Sequence, residues 1–431
     1  MRILHVINRY WPAGGGAERL LQEYAERQAA EGFDVTVFTT DVDDLAYLWD
    51  RRKARIARES EIHNGVRIER FPIVHIPPNG LGFRVARRLL GELDRLPGTT
   101  GLLRRICGFA PFVPGLNGAL AESAGRWDVV HGMNIAIESL LLPALAHARV
   151  AGAPFIISPL THLGESPNSV VRRYYTMKHQ IALVRAADAV LIETASEAAF
   201  YAARGVPEPR FLTAGGGADS DRVTGGDAAR FRERHDIAGP IVFFVGAMAS
   251  DKGAFDVVAA MERLWQRGSD ATLVMAGSPT DAFDAYYGLR SEATKRRTRI
   301  LGFVTAEEKR DLFAAGDVFT MPSRTDSFGI VFLEAWLNGV PVVAADAGGV
   351  PDVVEHERSG LIVPFGAPDS LAEAFARLLA DPDLCARMAA HGARRVRERF
   401  TWDAVYARVR PAFVRAGHEK LAVARRAALG R

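Results

Sequence analysis

The sequence predicts an α/β fold of two doubly wound, Rossmann-like domains. Three observations carry that expectation. Short β-branched runs alternate with helical patterns along the chain, the pattern of βα units and a parallel sheet. The rhythm stops in a polar, glycine-bearing segment from Gly215 to Gly239 and restarts at Ile241–Val245. Each half also opens alike, with a strand, a glycine-bearing turn and a helix. The first turn is Gly14-Gly15-Gly16-Ala17-Glu18 and the second is Gly246-Ala247-Met248-Ala249-Ser250-Asp251-Lys252-Gly253. Two such domains facing one another leave a cleft, the default place for a ligand.

The elements follow in order. Arg2–Ile7 reads as a strand, and Ala17–Glu31 as a helix with Leu20, Leu21, Tyr24 and Ala25 at helical spacing. Asp34–Thr39, Val66–Phe71, Val129–His131, Phe155–Ser158 and Ala189–Glu193 continue the first series of strands. The second series is Ile241–Val245, Thr272–Ala276, Arg299–Leu301, Val318–Met321, Val342–Ala345 and Leu361–Val363. From Pro72 to Gly125 the rhythm is absent. Arginines 84, 87, 88, 95, 104 and 105 alternate there with leucines and Phe83, and Arg84–Leu96 reads as a basic amphipathic helix. Such a helix either lies on an anionic membrane or covers a domain edge with its charges in water. The tail Arg415–Arg431 is also basic and reads as a helix end.

Composition narrows the class. The 431 residues suit two domains of ordinary size, and 48% hydrophobic content is that of a soluble globular protein. Basic and acidic groups nearly balance, 54 against 51, so the charge of +3 does not call for nucleic acid. Cys107 and Cys385 stand far apart, which implies neither a disulfide framework nor a zinc site and suits a reducing cytoplasm. The first residues carry too short an apolar run for a signal peptide, and no stretch reaches the ~18 apolar residues of a membrane span.

The chemistry concentrates in Pro322–Trp336. Asp326 and Glu334 flank Gly329 in a loop that leaves a strand and enters an apolar helix. Open α/β sheets bind ligands at such strand ends. Carboxylates there suit a polyol such as a sugar or a ribose, because each oxygen accepts hydroxyls. Asp326 is also explained as an acid at a helix start. Glu334 is harder to explain so, since it sits among Phe332, Leu333, Ala335 and Trp336, where a carboxylate needs a polar ligand or a cationic partner. The Gly14–Gly16 turn suits an anion at a helix start. It fails as a dinucleotide fingerprint, because Arg19 stands at the third glycine position. Lys252 follows the first strand of the second half and can reach a phosphate as a point charge. His162 follows a strand, at the same strand-end surface as the first glycine turn, and His131 is its rival. The carboxylate pairs Asp41/Asp43 and Asp219/Asp221 lie in ordinary loop composition, and no metal is assigned.

Together these pieces resemble the retaining, GT-B-fold glycosyltransferases of family 4, over nearly the whole chain and most strongly from Ile241 to Gly366. The carboxylate pair with its seven-residue spacing is matched by Asp326 and Glu334. Other matching pieces are Gly15–Glu18, His162, Lys252-Gly253, Leu301–Val304, Gly339–Val343 and Gly348–Pro351. The resemblance implies a nucleotide-diphosphate-sugar donor, UDP- or GDP-linked, a hydroxyl acceptor on a glycan, glycolipid or small molecule, and chemistry that needs neither metal nor cofactor. It implies that Glu334 holds the ribose, Asp326 faces the transferred sugar, Lys252 neutralises the diphosphate and His162 lies near sugar and acceptor. Gly329, Ile330 and Val331 would offer backbone groups, joined by Gly246, Arg324, Ser327 and Phe328. Gly15 and Gly16 would approach from the other domain, and Gly302 and Val304 would flank the base. The implied domains are 1–215 on the acceptor side and 216–400 on the donor side, with a last helix in 401–431 crossing back.

Two departures stand out. The first carboxylate is Asp, one methylene short of the family's Glu. The family's arginine after the second-half glycine is missing, since Gly246 is followed by Ala247. Arg324 or Arg9 is expected to supply that charge. The rivals are a nucleotide-sugar-binding scaffold without transfer and a dinucleotide-dependent oxidoreductase. The expected location is the cytoplasm, with peripheral contact at the inner membrane face through 72–125 as a second expectation.

Overall fold

The structure, a computed structural model, describes residues 1–75 and 81–429. Residues 76–80 of the 72–125 segment and 430–431 of the basic tail lie outside the described residues. Two compact units emerge. The first comprises Met1–Thr161, Arg172–Ala214 and Tyr406–Arg431, and the second His162–Val171 and Gly215–Val405. The segment 162–171, expected with the first domain, packs with the second unit instead. Chain continuity alone suggested the other assignment.

Among the described residues the first unit holds eight strands. They are β1 (Arg2–Val6), β2 (Asp34–Thr40), β3 (Ser60–His63), β4 (Val66–Phe71), β5 (Val129–Met133), β6 (Phe155–Ser158), β7 (Ala189–Ile192) and β8 (Phe211–Thr213), in the spatial order β3-β4-β2-β1-β5-β6-β7-β8. All neighbours are parallel except β3 and β4. The central strands are covered on both faces, so Ile3, Leu4, Val129 and Val130 are all buried. The edge strand β3 is short, polar and partly exposed, which is why no apolar pattern announces it. The 72–125 segment is helical in Gly82–Leu93, Thr100–Ile106 and Pro114–Glu122.

The second unit holds β9 (Ile241–Val245), β10 (Thr272–Ala276), β11 (Thr298–Gly302), β12 (Val318–Met321), β13 (Val342–Ala345) and β14 (Gly360–Val363). Their order is β11-β10-β9-β12-β13-β14, all parallel. Its core is aromatic: Phe243 meets Phe313 and Phe319 at 5.1 and 5.2 Å between ring centroids. The order of strands reverses between β9 and β12. At such a switch point the loops after the two strands part and leave a crevice at their carboxyl ends. The last helix runs Trp402–Leu429, and from Tyr406 onward it packs with the first unit. Among the described residues no helix is long and apolar enough to cross a membrane.

Candidate active site

The switch point of the second unit gathers the expected chemistry. The loop after β9 carries Lys252 and the loop after β12 carries Asp326. They meet with Lys252 Nζ donating to Asp326 Oδ1 at 3.0 Å. Gly253 makes that approach possible. Its φ is +76°, and a Cβ there would lie 2.4 Å from the Pro322 carbonyl oxygen. The β12 loop is held further by Thr325 Oγ1 donating to Asp251 Oδ2 at 3.1 Å and by Arg324 N donating to the Asp251 carbonyl at 3.0 Å.

Asp326 is half-buried. Burial alone would raise its carboxyl, but the Lys252 ammonium, Ser323 and His162 outweigh that and hold it below the usual carboxylate range. Its Oδ2 is buried with no hydrogen-bond partner. His162 belongs to this cluster. Enclosure and the Lys252 ammonium push its imidazole down to about 3, against the pull of Asp326, so it is neutral at ordinary pH. The His162 segment is anchored by Gly348 N donating to the Gly164 carbonyl at 2.9 Å and by Arg324 Nη1 reaching Glu165 Oε1 at 3.4 Å. The same guanidinium stacks 4.9 Å from the Phe365 ring.

Gly329 opens the next helix, Ile330–Leu337, in the left-handed region at φ +87°, and a Cβ there would strike the Phe332 ring at 2.4 Å. Phe332, Leu333, Ala335 and Trp336 face the core, while Ile330, Val331 and Glu334 form the half-buried stripe. Glu334 therefore faces outward from an apolar helix, and it has a partner that sequence reasoning missed. Lys309 Nζ lies 2.9 Å from its Oε1 and 2.7 Å from its Oε2. Each carboxylate of the pair thus carries its own lysine. Nothing in the sequence pairs residues 309 and 334. A lysine in the first turns of a helix reads as solvated until the packing shows what it faces.

The remaining expected residues divide. Ala247, where the arginine is missing, is exposed, and Met248 is fully buried. The Gly246 amide is spent on the Ala276 carbonyl at 2.9 Å. Phe328 turns its ring into the core against Phe400 at 5.4 Å, which leaves only its backbone for a ligand. Ser327 and Val304 are half-buried, Phe303 is exposed, and Gly302 accepts from Gly277 N at 2.7 Å.

In the first unit, Gly15 precedes the helix Gly16–Ala30, and a Cβ on it would meet Glu18 Oε2 at 2.1 Å. Arg9 is spent there on Glu18 at 2.8 Å, the Gly14 carbonyl at 2.9 Å and the Asp43 carbonyl at 3.0 Å. His131, the rival to His162, is a core residue facing His5 at 2.9 Å. One cluster has the composition of a metal site: donor atoms of Cys107, Glu138 and His179 lie within 4.8 Å of one another. Its charge is already balanced, because Arg87 Nη1 donates to Glu138 Oε1 at 2.7 Å. Burial also pushes the Cys107 thiol up to about 12, away from the thiolate a metal needs.

Residues 227–395 match the family model described as glycosyl transferases group 1, and residues 15–217 match the glycosyl transferase 4-like domain. The chain is similar to the alpha-D-kanosaminyltransferase of Streptomyces kanamyceticus, 34% identical over 40% of this chain and 45% of that protein. It is also similar to the GDP-mannose-dependent alpha-(1-6)-phosphatidylinositol monomannoside mannosyltransferase of Mycobacterium tuberculosis, 32% identical over 45% of this chain and 53% of that protein. The chain thus spans about half the length of these curated relatives. Among solved structures, Anabaena HepE in complex with UDP superposes with a TM-score of 0.71 at 18% identity, over 96% of this chain and 100% of that one.

Proposed function

Because the chain belongs to the group 1 glycosyltransferases and has their GT-B fold of two Rossmann-like domains, we propose that it moves a sugar from a nucleotide-diphosphate-sugar to a hydroxyl acceptor in glycan, glycolipid or polysaccharide synthesis. The observation that carries this reading is the pair of carboxylates at the β9/β12 switch point, each beside a lysine. Glu334 accepts the two hydroxyls of the donor ribose. Asp326 Oδ2, buried without a partner, accepts a hydroxyl of the transferred sugar. Lys252, bonded to Asp326 and close enough to His162 to lower its imidazole, meets the diphosphate, where negative charge grows as the bond to the sugar breaks. The transfer retains configuration. The acceptor oxygen bonds to the anomeric carbon on the face that the diphosphate leaves, and the departing phosphate oxygen takes the acceptor proton. Neutral His162 offers that face a hydrogen bond without adding charge. No metal takes part, and activity survives a chelator. The donor base is uracil or guanine, in keeping with a relative named for GDP-mannose and a structural neighbour solved with UDP.

The test is a screen of UDP- and GDP-sugars for transfer or donor hydrolysis, repeated with Glu334→Ala. That variant should keep its fold and lose nearly all activity. Wild-type rates with it would refute the assignment. The exposed Ala247 in place of an arginine favours a second reading, a scaffold that binds donor without turning it over. Donor binding with neither transfer nor hydrolysis would establish that reading.

The acceptor side of the proposal includes a cytoplasmic protein in peripheral contact with an anionic membrane. On the helix Gly82–Leu93, Val85 and Leu89 continue an exposed stripe from Leu81, and Leu96, Leu102 and Phe109 are exposed beyond it. Arg88, Arg104 and Arg105 are exposed among them, whereas Arg87 turns inward to Glu138. Exposed apolar side chains flanked by arginines suit an interface of lipid and water. Vesicles with a third of anionic lipid should pull the protein down in co-sedimentation and release it at high salt. No binding would remove this part of the reading.

A further inference from the structure

Glu334 does not face its site alone, and neither the matched motifs nor the paired-carboxylate pattern accounts for the residue that holds it. Lys309 stands one turn into the helix Ala306–Ala315. Thr305 fixes where that helix starts: its hydroxyl accepts from Glu308 N at 3.1 Å, and its carbonyl accepts from Lys309 N at 2.9 Å. One turn further on, Phe313 is buried against Phe243 and Phe319, and its ring centroid lies 5.8 Å from Lys309 Nζ. Lys309 therefore rises from a rigid aromatic base. Its ammonium straddles Glu334, 2.9 Å from Oε1 and 2.7 Å from Oε2, with both side chains mostly enclosed.

A carboxylate has about four acceptor positions on its two oxygens, and one ammonium does not fill them. Acceptors remain on both oxygens, which is what a pair of neighbouring hydroxyls requires. A free glutamate would have to give up rotamer freedom when the ligand arrived, and one already held by an ion pair has less to lose. We propose that Lys309 is a positioning residue that presents the Glu334 carboxylate to the vicinal hydroxyls of the donor ribose, and thereby sets the preference for ribonucleotides over deoxyribonucleotides. This rests on the assignment of Glu334 to the ribose. A plain ion pair between two helices would support stability and leave sugar discrimination untouched.

The experiment measures dissociation constants of UDP, GDP and their 2′-deoxy counterparts by calorimetry, for the full chain and for Lys309→Met, Lys309→Arg and Glu334→Gln, with a melting temperature for each. Glu334→Gln and Lys309→Met should bind ribonucleotide about tenfold more weakly, and the ribo-to-deoxy ratio should fall toward one in both. Lys309→Arg, which keeps the charge, should restore most of the ratio. If Lys309→Met loses its fold, Lys309→Gln carries the same comparison. A wild-type ratio in the Lys309 variants beside a collapsed ratio in Glu334→Gln would overturn the role of Lys309 alone. An unchanged ratio in Glu334→Gln, or no binding of either nucleotide by the wild type, would instead overturn the ribose assignment beneath it.

Discussion

Asp326 is the residue at which this chain departs from the carboxylate pattern it otherwise matches, with Asp in place of Glu. In the proposed donor site Lys252 takes one acceptor position on Oδ1, and Oδ2, buried without a partner, is the oxygen best placed to accept from the sugar. Asp sets that oxygen one methylene further back than Glu would. Asp326→Glu should therefore fold normally and still bind UDP or GDP, since it keeps a carboxylate for Lys252 and leaves Glu334 untouched. Its relative kcat/KM among nucleotide hexoses should shift by about tenfold, the value of one hydrogen bond to a charged group. The same ranking of donors in variant and wild type would separate Asp326 from sugar selection. Much of this residue's role is legible in sequence, because the loop, the glycine and the spacing to Glu334 are local. What the sequence leaves open is which oxygen is spent, since Lys252 lies 74 residues away on another loop.

The loops and helices around the switch point raise the question of the missing arginine. The sequence offers Arg324 or Arg9 as its replacement; Arg9 bonds Glu18 and the Gly14 and Asp43 carbonyls, and Arg324 lies beside Glu165 and over Phe365. The contact to Glu165 is long, 3.4 Å, and partly open to solvent, so it is a weak and exchangeable partner. Arg324 Nε is buried without a partner, which leaves the guanidinium a reason to turn toward an arriving phosphate. Arg324→Ala should lower kcat/KM by about tenfold or more, with at most about 1 kcal/mol lost in stability. Glu165→Gln, which releases the arginine, should stay within about twofold of wild type. Equal losses in both variants would instead assign the pair to seating the 162–171 segment. The elements themselves were readable where physics is local. Phe155–Ser158, Ile241–Val245, Val318–Met321 and Val342–Ala345 are almost wholly buried and appear as short, mainly apolar runs, broken only by Ser158 and Thr320. The strand Phe211–Thr213 is too short and too exposed to show a pattern. The anchoring of 162–171 depends on Gly348 and Arg324, far away in sequence, so no local reading reaches it.

At the scale of the whole chain, the sequence announces two domains through a repeated opening, and it does not announce how the first one is sealed. His5 on β1 and His131 on β5 are fully buried and meet through their Nδ1 atoms at 2.9 Å. Gln28 faces His5 Nε2 at 2.7 Å, Ser158 faces His131 Nε2 at 2.9 Å, and the Phe413 ring of the last helix closes the cluster at 5.8 and 5.4 Å. No carboxylate is among these contacts to favour a proton. Burial lowers His5 to about 4, and burial with the neighbouring His5 lowers His131 well below its ordinary value. In the unfolded chain both would titrate near 6.5. Between those values the unfolded state binds protons that the folded state refuses, so stability is complete above pH 6.5 and falls as the pH drops toward 4. His5 alone accounts for about 3 kcal/mol over that window. Thermal melts of the full chain between pH 7.5 and 4 should show the midpoint falling steeply below 6.5, with residues near Phe413 among the first to lose amide protection. His5→Gln cannot take the proton and should flatten that fall. A midpoint that stays level down to pH 4.5, or a slope the variant leaves unchanged, would show that the histidine pair does not set the acid limit of the first unit.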